Sequence, residues 1–211
     1  MNAPLRLASC AAGLMMLAGC ASSLTESQCL AGDWQTVGYR DGSLGYASTR
    51  LLEHQDACVK HGVVPDRAQY MIGWQDGVVA FCTPENGFVQ GEGGAGYVRV
   101  CPVELETQFL GAYKDGRTLY LAASEVDRLA ALLDQKTHEL AHVDESLVTL
   151  ATRIAVETDV PAATRIGWVH ESTELARSRG RLEGEIESIG IELAVQQERL
   201  TGLREQLAYR Y

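Results

Sequence analysis

From residue 122 onward, apolar side chains recur in two long series with alternating steps of three and four residues, the spacing of a coiled-coil seam. The first series covers residues 126–154 and the second covers residues 168–207. Between them, residues 158–163 include Pro161, which cannot continue a helix interior. The pattern therefore predicts an antiparallel helical hairpin over 122–211 with its turn near 158–163.

If the chain reverses at Pro161, the two series meet without a shift, so that Leu140 faces Leu182. Leu200 and Leu207 extend past the start of the first seam, and we expect them to pack beside residues 115–122. In two layers a long cationic side chain faces an apolar one: Lys136 opposite Ile186 and Arg179 opposite Val143. The alternative is an intermolecular coiled coil, so the seam also allows self-association.

The first twenty residues have the pattern of a targeting signal. Arg6 precedes an apolar run at 7–17 that is too short to span a bilayer, as in the hydrophobic region of a signal peptide. The sequence Leu-Ala-Gly-Cys that ends at Cys20 resembles the lipobox of bacterial lipoproteins. An ordinary secretory signal with a chance cysteine at its boundary is the alternative.

The lipobox resemblance implies that residues 1–19 are removed and that Cys20 carries three acyl chains, palmitate among them, as a membrane anchor. Because Ala21 stands where an aspartate typically retains such proteins in the inner membrane, the resemblance favours an outer-membrane lipoprotein that faces the periplasm.

Four further cysteines lie in the predicted mature chain, all between residues 20 and 121, which we take as one disulfide-stapled helical domain. An even number in an oxidising compartment predicts two disulfides, and the spacings are not those of a zinc site. If the chain turns between two antiparallel helices at 41–45, Cys29 faces Cys58, and Cys82 then pairs with Cys101. The rival is one helix running straight through Gly42, which would hold Cys29 and Cys58 about 43 Å apart.

A short phrase, aromatic–x–Asp–Gly, recurs three times in this domain at offsets typical of stacked helical units. We interpret it as structural, with the aromatic packed inward, the aspartate at a cap or turn and the glycine at a close approach. A shared ligand or cation site at the three aspartates is the alternative. The residues are Tyr39, Asp41 and Gly42, then Trp74, Asp76 and Gly77, then Tyr113, Asp115 and Gly116.

The combination of motifs over about residues 24–120 resembles a family of bacterial lipoproteins, the domain of unknown function 2799. It comprises Gln28-Cys29, Gly32-Asp33-Trp34, Gly38-Tyr39-Arg40-Asp41-Gly42, Ala57-Cys58, Phe81-Cys82, Gly87-Phe88 and Val100-Cys101-Pro102. The resemblance implies an envelope lipoprotein with paired cysteines, and it supplies neither an activity nor functional residues.

Two motifs suggest chemistry. His138 and His142 belong to a His-Glu-x-x-His phrase at 138–142, the zinc-hydrolase pattern, but both fall on the outward face of the coiled coil. The glycine-rich segment 86–97 contains Gly-x-Gly-x-x-Gly without the strand–helix context of a dinucleotide site, and we expect an irregular loop that could contact a ligand. His54 has no recognisable nucleophile motif near it, so the histidines give no catalytic triad.

The net charge of −10 argues against nucleic acid and against a basic membrane-binding patch. These patterns predict a mainly α-helical protein, lipid-anchored through Cys20, with a non-enzymatic scaffold, tether or protein-interaction role in the bacterial envelope and no cofactor. Its expected partner is a periplasmic or outer-membrane protein. The alternatives are a zinc-dependent hydrolase using 138–142 and a glycan or small-ligand binder using 86–97.

Overall fold

A computed structural model describes residues 23–210 of the chain, which form α-helices joined by short turns and contain no strand within that range. The predicted fold class, a small disulfide-stapled helical domain followed by a long helical hairpin, is confirmed. The helices are α1 (Glu26–Ala31), α2 (Trp34–Ser43), α3 (Leu51–Val59), α4 (Arg67–Phe81), α5 (Pro84–Glu92), α6 (Val103–Val156) and α7 (Ala162–Ala208).

Side-chain caps begin most of the short helices, which explains where they start. Thr25 forms a reciprocal capping box with Gln28 at α1, and Asp33 and Asp66 accept backbone N–H bonds at α2 and α4. At α5 the cap is Thr83, whose hydroxyl oxygen accepts a hydrogen bond from the backbone N–H of Asn86. A proline occupies the first turn of this helix.

Helices α2 and α4 pack in parallel through glycines. Gly38 lies against the backbone of Tyr70 and Trp74, and Gly42 lies against that of Trp74 and Val78, so residue numbers rise together along both helices. A Cβ on either glycine would overlap a backbone carbonyl oxygen of α4. Such an approach brings the helix backbones closer than any larger residue permits.

Helices α5 and α6 repeat the same parallel arrangement. Gly87 lies against Phe109, and Gly91 lies against Tyr113 and Arg117. From the other side, Gly116 of α6 lies against the backbone of α5. The domain is therefore two glycine-packed parallel helix pairs.

The disulfides join the chain segments that lead into each parallel pair. Cys29 of α1 bonds to Cys58 of α3, ahead of α2 and α4, and Cys82 bonds to Cys101, immediately ahead of α5 and α6. These are the pairs that the sequence favoured. The expected antiparallel hairpin at 41–45 is wrong in detail, because α2 continues through Gly42 to Ser43, the chain reverses only beyond it, and the helix that packs on α2 is the parallel α4.

Helices α6 and α7 form the antiparallel hairpin, with the turn between Val156 and Ala162 as predicted. Lys136 forms an ion pair with Glu185, 3.1 Å, beside its predicted partner Ile186. Similarly, Arg179 pairs with Asp144, 2.9 Å, beside Val143. Both cations thus reach the edge of the seam, as long amphipathic side chains do.

One helix, α6, belongs to both halves of the molecule. Its first third packs on α5, and the rest forms the hairpin, so the predicted boundary at 121/122 falls inside a continuous helix. Leu200 and Leu207 of α7 pack on Leu119 and Ala122, which confirms the expected contact at the hairpin base. We call residues 23–121 the base. The arm consists of the part of α6 that follows residue 121, together with the whole of α7. Within residues 23–210, no helix combines the length and apolarity needed to cross a bilayer.

Candidate functional site

Three helices of the base bring a buried cluster of polar side chains together. Asp41 lies in the last turn of α2, His54 lies in the middle of α3 and Tyr70 lies in the first turn of α4. Asp41 is 5% exposed and His54 is 1% exposed. The Asp41 Oδ2 atom lies 2.6 Å from His54 Nε2 and accepts a hydrogen bond from the Tyr70 hydroxyl at 2.8 Å. Such buried polar groups are stable only when they bond to one another.

Ser23 completes the cluster from outside these helices. Its Oγ atom lies 2.9 Å from His54 Nδ1, so both ring nitrogens of the histidine have a partner. With Asp41 accepting from Nε2–H, the Nδ1 atom is left as the acceptor of the Ser23 hydroxyl proton. Serine, histidine and aspartate therefore form one hydrogen-bonded chain.

Arg50 places a positive charge beside this chain. Its Nε atom lies 3.5 Å from Asp41 Oδ1, within ion-pair range, yet that buried N–H has no hydrogen-bond acceptor. The guanidinium stacks over the Tyr46 ring at 4.0 Å and also contacts Glu53 at 3.3 Å. The arginine thus offsets the charge of Asp41 while keeping one donor unused.

Burial and the hydrogen bond to Asp41 raise the pKa of the Tyr70 phenol well above its ordinary value. The phenol therefore stays protonated and donates to Asp41 over the whole physiological range. This bond fixes the carboxylate in position against the histidine.

A cavity of about 250 Å³ opens beside the cluster. Ser23, Asp41 and His54 all line it, and Arg40 and Arg50 bring two guanidinium groups to its wall. The rest of the lining is mixed: Leu24, Val37 and Leu44 are apolar, and Gln28, Asp33 and Thr36 are polar. The space is large enough for a small molecule with one polar end.

The sequence did not reveal this cluster, and the expectation that His54 is isolated is wrong, because the structure brings Ser23 and Asp41 within hydrogen-bond distance of it. Ser23, Asp41, His54 and Tyr70 come from four separate segments of the chain and share no local motif. One signal was available: Asp41 sits in a helix that packs tightly through glycines, where a carboxylate on the inward face needs a buried partner.

The three repeated phrases have different environments. Asp41 belongs to the buried cluster, Asp76 is exposed on α4, and Asp115 pairs with Arg210 at 2.6 Å. The alternative of one shared ligand site at these aspartates is therefore wrong. Among the described residues, no group of three or more His, Cys, Asp or Glu side chains is arranged to hold a metal ion.

The structural interpretation of the phrase is right about its glycines and wrong about its turns. Gly42, Gly77 and Gly116 all lie at close helix approaches, without a positive φ. The phrases lie within helices, and none forms a turn. Tyr39 is 47% exposed, which corrects the inward packing expected of it.

The other aromatics of the phrase do pack. Trp74 donates to the Tyr46 carbonyl and Tyr113 donates to the Ala95 carbonyl, each holding a neighbouring loop.

The glycine-rich segment 86–97 is mostly helix, which corrects the expected loop. Residues 86–92 belong to α5, and their two glycines contact α6. Only Gly93 onward is irregular, and Arg117 and Tyr113 bond to the carbonyls of Gly94 and Ala95 there. A small-residue helix contact explains Gly87 and Gly91 without a ligand.

The His-Glu-x-x-His phrase lies on the exposed face of α6, as the heptad pattern predicts. The side chains of His138 and His142 are 71% and 81% exposed. Glu139 accepts bonds from Gln135 and Lys136, which lower the pKa of its carboxyl group.

Comparison with family models gives a match over the base. Residues 33–118 match the model of the family described as "Protein of unknown function (DUF2799)", which confirms the family resemblance drawn from the cysteine and glycine motifs. No curated protein and no solved structure matches the chain. The matched segment contains Asp41, His54, Tyr70 and three of the four disulfide cysteines, and it ends within α6.

Proposed function

We propose that this chain, of which residues 33–118 match a family of unknown function, is a lipid-anchored scaffold or tether of the bacterial envelope. The base rests at the outer membrane through Cys20, and the arm reaches into the periplasm towards a protein partner. The observation that carries the proposal is the continuity of α6, which makes the base and the arm parts of one rod.

The anchor is argued from the lipobox resemblance at Cys20, which lies outside the described residues. Ser23, only three residues later, already bonds to His54, and Leu24 is buried in the base. Three residues span at most about 10 Å of extended chain. A lipidated Cys20 would therefore hold the base against the membrane surface with almost no slack.

The arm is long enough for its far end to lie well away from the base. From Ala122 to Val156, α6 is unbroken helix, which corresponds to a length of about 50 Å. Helix α7 returns along it, and Leu129, Leu150 and Leu182 are buried between the two. A paired rod of this length holds its far end at a fixed distance from the base.

The far end of the arm has the apolar surface that a protein partner could use. Four branched apolar side chains are exposed towards this end of the arm. Exposed apolar side chains of this kind are groups that a protein partner could cover. They are Val148, Val156, Ile166 and Val169.

A change of arm length tests the tether directly. Deleting 137–150 together with 172–185 removes two heptads from each helix and keeps the predicted layers in register, which shortens the arm by about 21 Å. We expect cross-links to envelope proteins in cells to be lost while the protein stays in the membrane fraction. Unchanged cross-links would contradict a tether and move the function to the base.

A second experiment tests the tip of the arm. The variant Val156→Ser with Ile166→Ser should lose the same cross-links, and the matched control is Ile191→Ser with Val195→Ser, two exposed positions nearer the base. Cys20→Ala should release the protein from the membrane fraction. Retention of the Cys20→Ala protein in the membrane would contradict the lipid anchor.

A further inference from the structure

The hydrogen-bonded chain Ser23–His54–Asp41 has the connectivity of a nucleophile, a base and an orienting acid. We propose that it is an acyl-transfer site, in which Ser23 attacks small carboxylic esters that enter the adjoining cavity. The proposal goes beyond the scaffold role and does not depend on it.

The geometry assigns one role to each residue. Asp41, at 2.6 Å from Nε2, holds the proton on that nitrogen and leaves the lone pair of Nδ1 facing Ser23 at 2.9 Å. His54 is buried, so its orientation is fixed before any substrate binds. Ser23 is only partly buried and lies on the cavity wall, where a substrate can reach it.

Two further side chains position the acid. The Tyr70 hydroxyl donates to the same Asp41 oxygen that meets the histidine, and Arg50 lies beside the other oxygen. These contacts hold the Asp41 carboxyl group in place beside the histidine. Tyr70 is thus a positioning residue, whereas Ser23 and His54 are the residues that would touch substrate.

A donor for the developing negative charge is also present. Arg50 and Arg40 both line the cavity. Guanidinium groups on the wall of a site are suited to stabilise an oxyanion that forms during reaction. The small volume and the apolar wall of Leu24, Val37 and Leu44 favour a short acyl chain.

The reaction then proceeds in two balanced halves. The Ser23 oxygen bonds to the ester carbonyl carbon as His54 Nδ1 takes the hydroxyl proton. The C–O bond to the alcohol breaks, and the alcohol leaves with that proton, which gives acyl-Ser23. Water attacks the acyl carbon, returns its proton through His54 and releases the carboxylic acid.

The test uses the full chain purified from membranes in detergent, with a fluorophosphonate as probe and p-nitrophenyl acetate and butyrate as substrates. We expect the probe on the peptide that contains Ser23 and ester turnover above the rate in buffer. Ser23→Ala and His54→Gln should each abolish labelling and lower turnover by about 100-fold or more. Ser27→Ala, an exposed serine in the same segment, is the matched control and should change neither.

Because His54→Gln can weaken folding, thermal unfolding of each variant is measured alongside, and the partly exposed Ser23 supplies the variant that keeps the fold. If the probe does not label the protein, or labels Ser23→Ala equally, the proposal is overturned. The cluster would then have only the structural role of joining the helices of the base.

Discussion

The Cα of Gly77 in α4 lies against the backbone carbonyl of Tyr39 in α2, with no space for a side chain between the two helices. The reciprocal contact of Gly42 with α4 makes the crossing glycine-lined on both sides. The same device joins α5 to α6. Close backbone packing therefore replaces much of the large hydrophobic core that a chain with few aromatics lacks.

Gly77→Ala should destabilise the base, because the new methyl group would overlap the Tyr39 carbonyl and force α2 and α4 apart. We expect a loss of at least about 2 kcal/mol in the free energy of unfolding, measured by urea denaturation. The control is Gly184→Ala on α7, where nothing lies near the added methyl group, and it should gain about 0.5–1 kcal/mol. Equal effects at the two positions would refute the close packing.

Removing the first disulfide should loosen the base and spare the arm. Replacing Cys29 and Cys58 by serine removes the staple ahead of α2 and α4, which we expect to cost about 3 kcal/mol. Hydrogen exchange should show lost protection in α1 to α4 and retained protection in the arm helices. A peptide in which Cys58 is bonded to Cys82 would contradict the connectivity itself.

Stability should fall at alkaline pH because of Tyr70. Its pKa is raised in the folded protein, so above about pH 10 the unfolded chain loses a proton that the folded chain retains, and ionisation favours unfolding. Tyr70→Phe should be less stable at neutral pH by about 1 kcal/mol and should show a shallower decline between pH 9 and 11. Tyr209→Phe, at a fully exposed position, should keep the original slope.

The two arm histidines should not create a structural zinc site, since both are exposed and their neighbouring glutamate is bonded to a lysine. We expect zinc content after dialysis to be the same in His138→Ala as in the unchanged protein, by elemental analysis. Stoichiometric zinc that disappears in this variant would revive the zinc-hydrolase interpretation.

The arm could be predicted closely from the sequence because a heptad pattern fixes both helix period and facing residues. Lys136 and Arg179 lie within one residue of their predicted partners for that reason. Seam contacts are repeated layer by layer, so an error in one layer is corrected by the next.

The base was predicted less well because its helices pack closely only where glycine has no side chain. Gly42 and Gly77 look like turn residues in isolation, and only the neighbouring helix shows that they are contact points. The cluster at His54 was missed for a related reason. Its partners at positions 23 and 41 become neighbours only after α2, α3 and α4 assemble, and no local pattern encodes that distance.

The continuity of α6 has a mechanical consequence. From Arg117 to Val156 the helix contains neither glycine nor proline, the residues at which helices most often bend. A sideways force on the tip would therefore turn the whole rod, and the resulting torque would arrive where α6 crosses α5. The Cys82–Cys101 bond joins the segments immediately ahead of α5 and α6, so it helps to hold this helix pair together against such a torque.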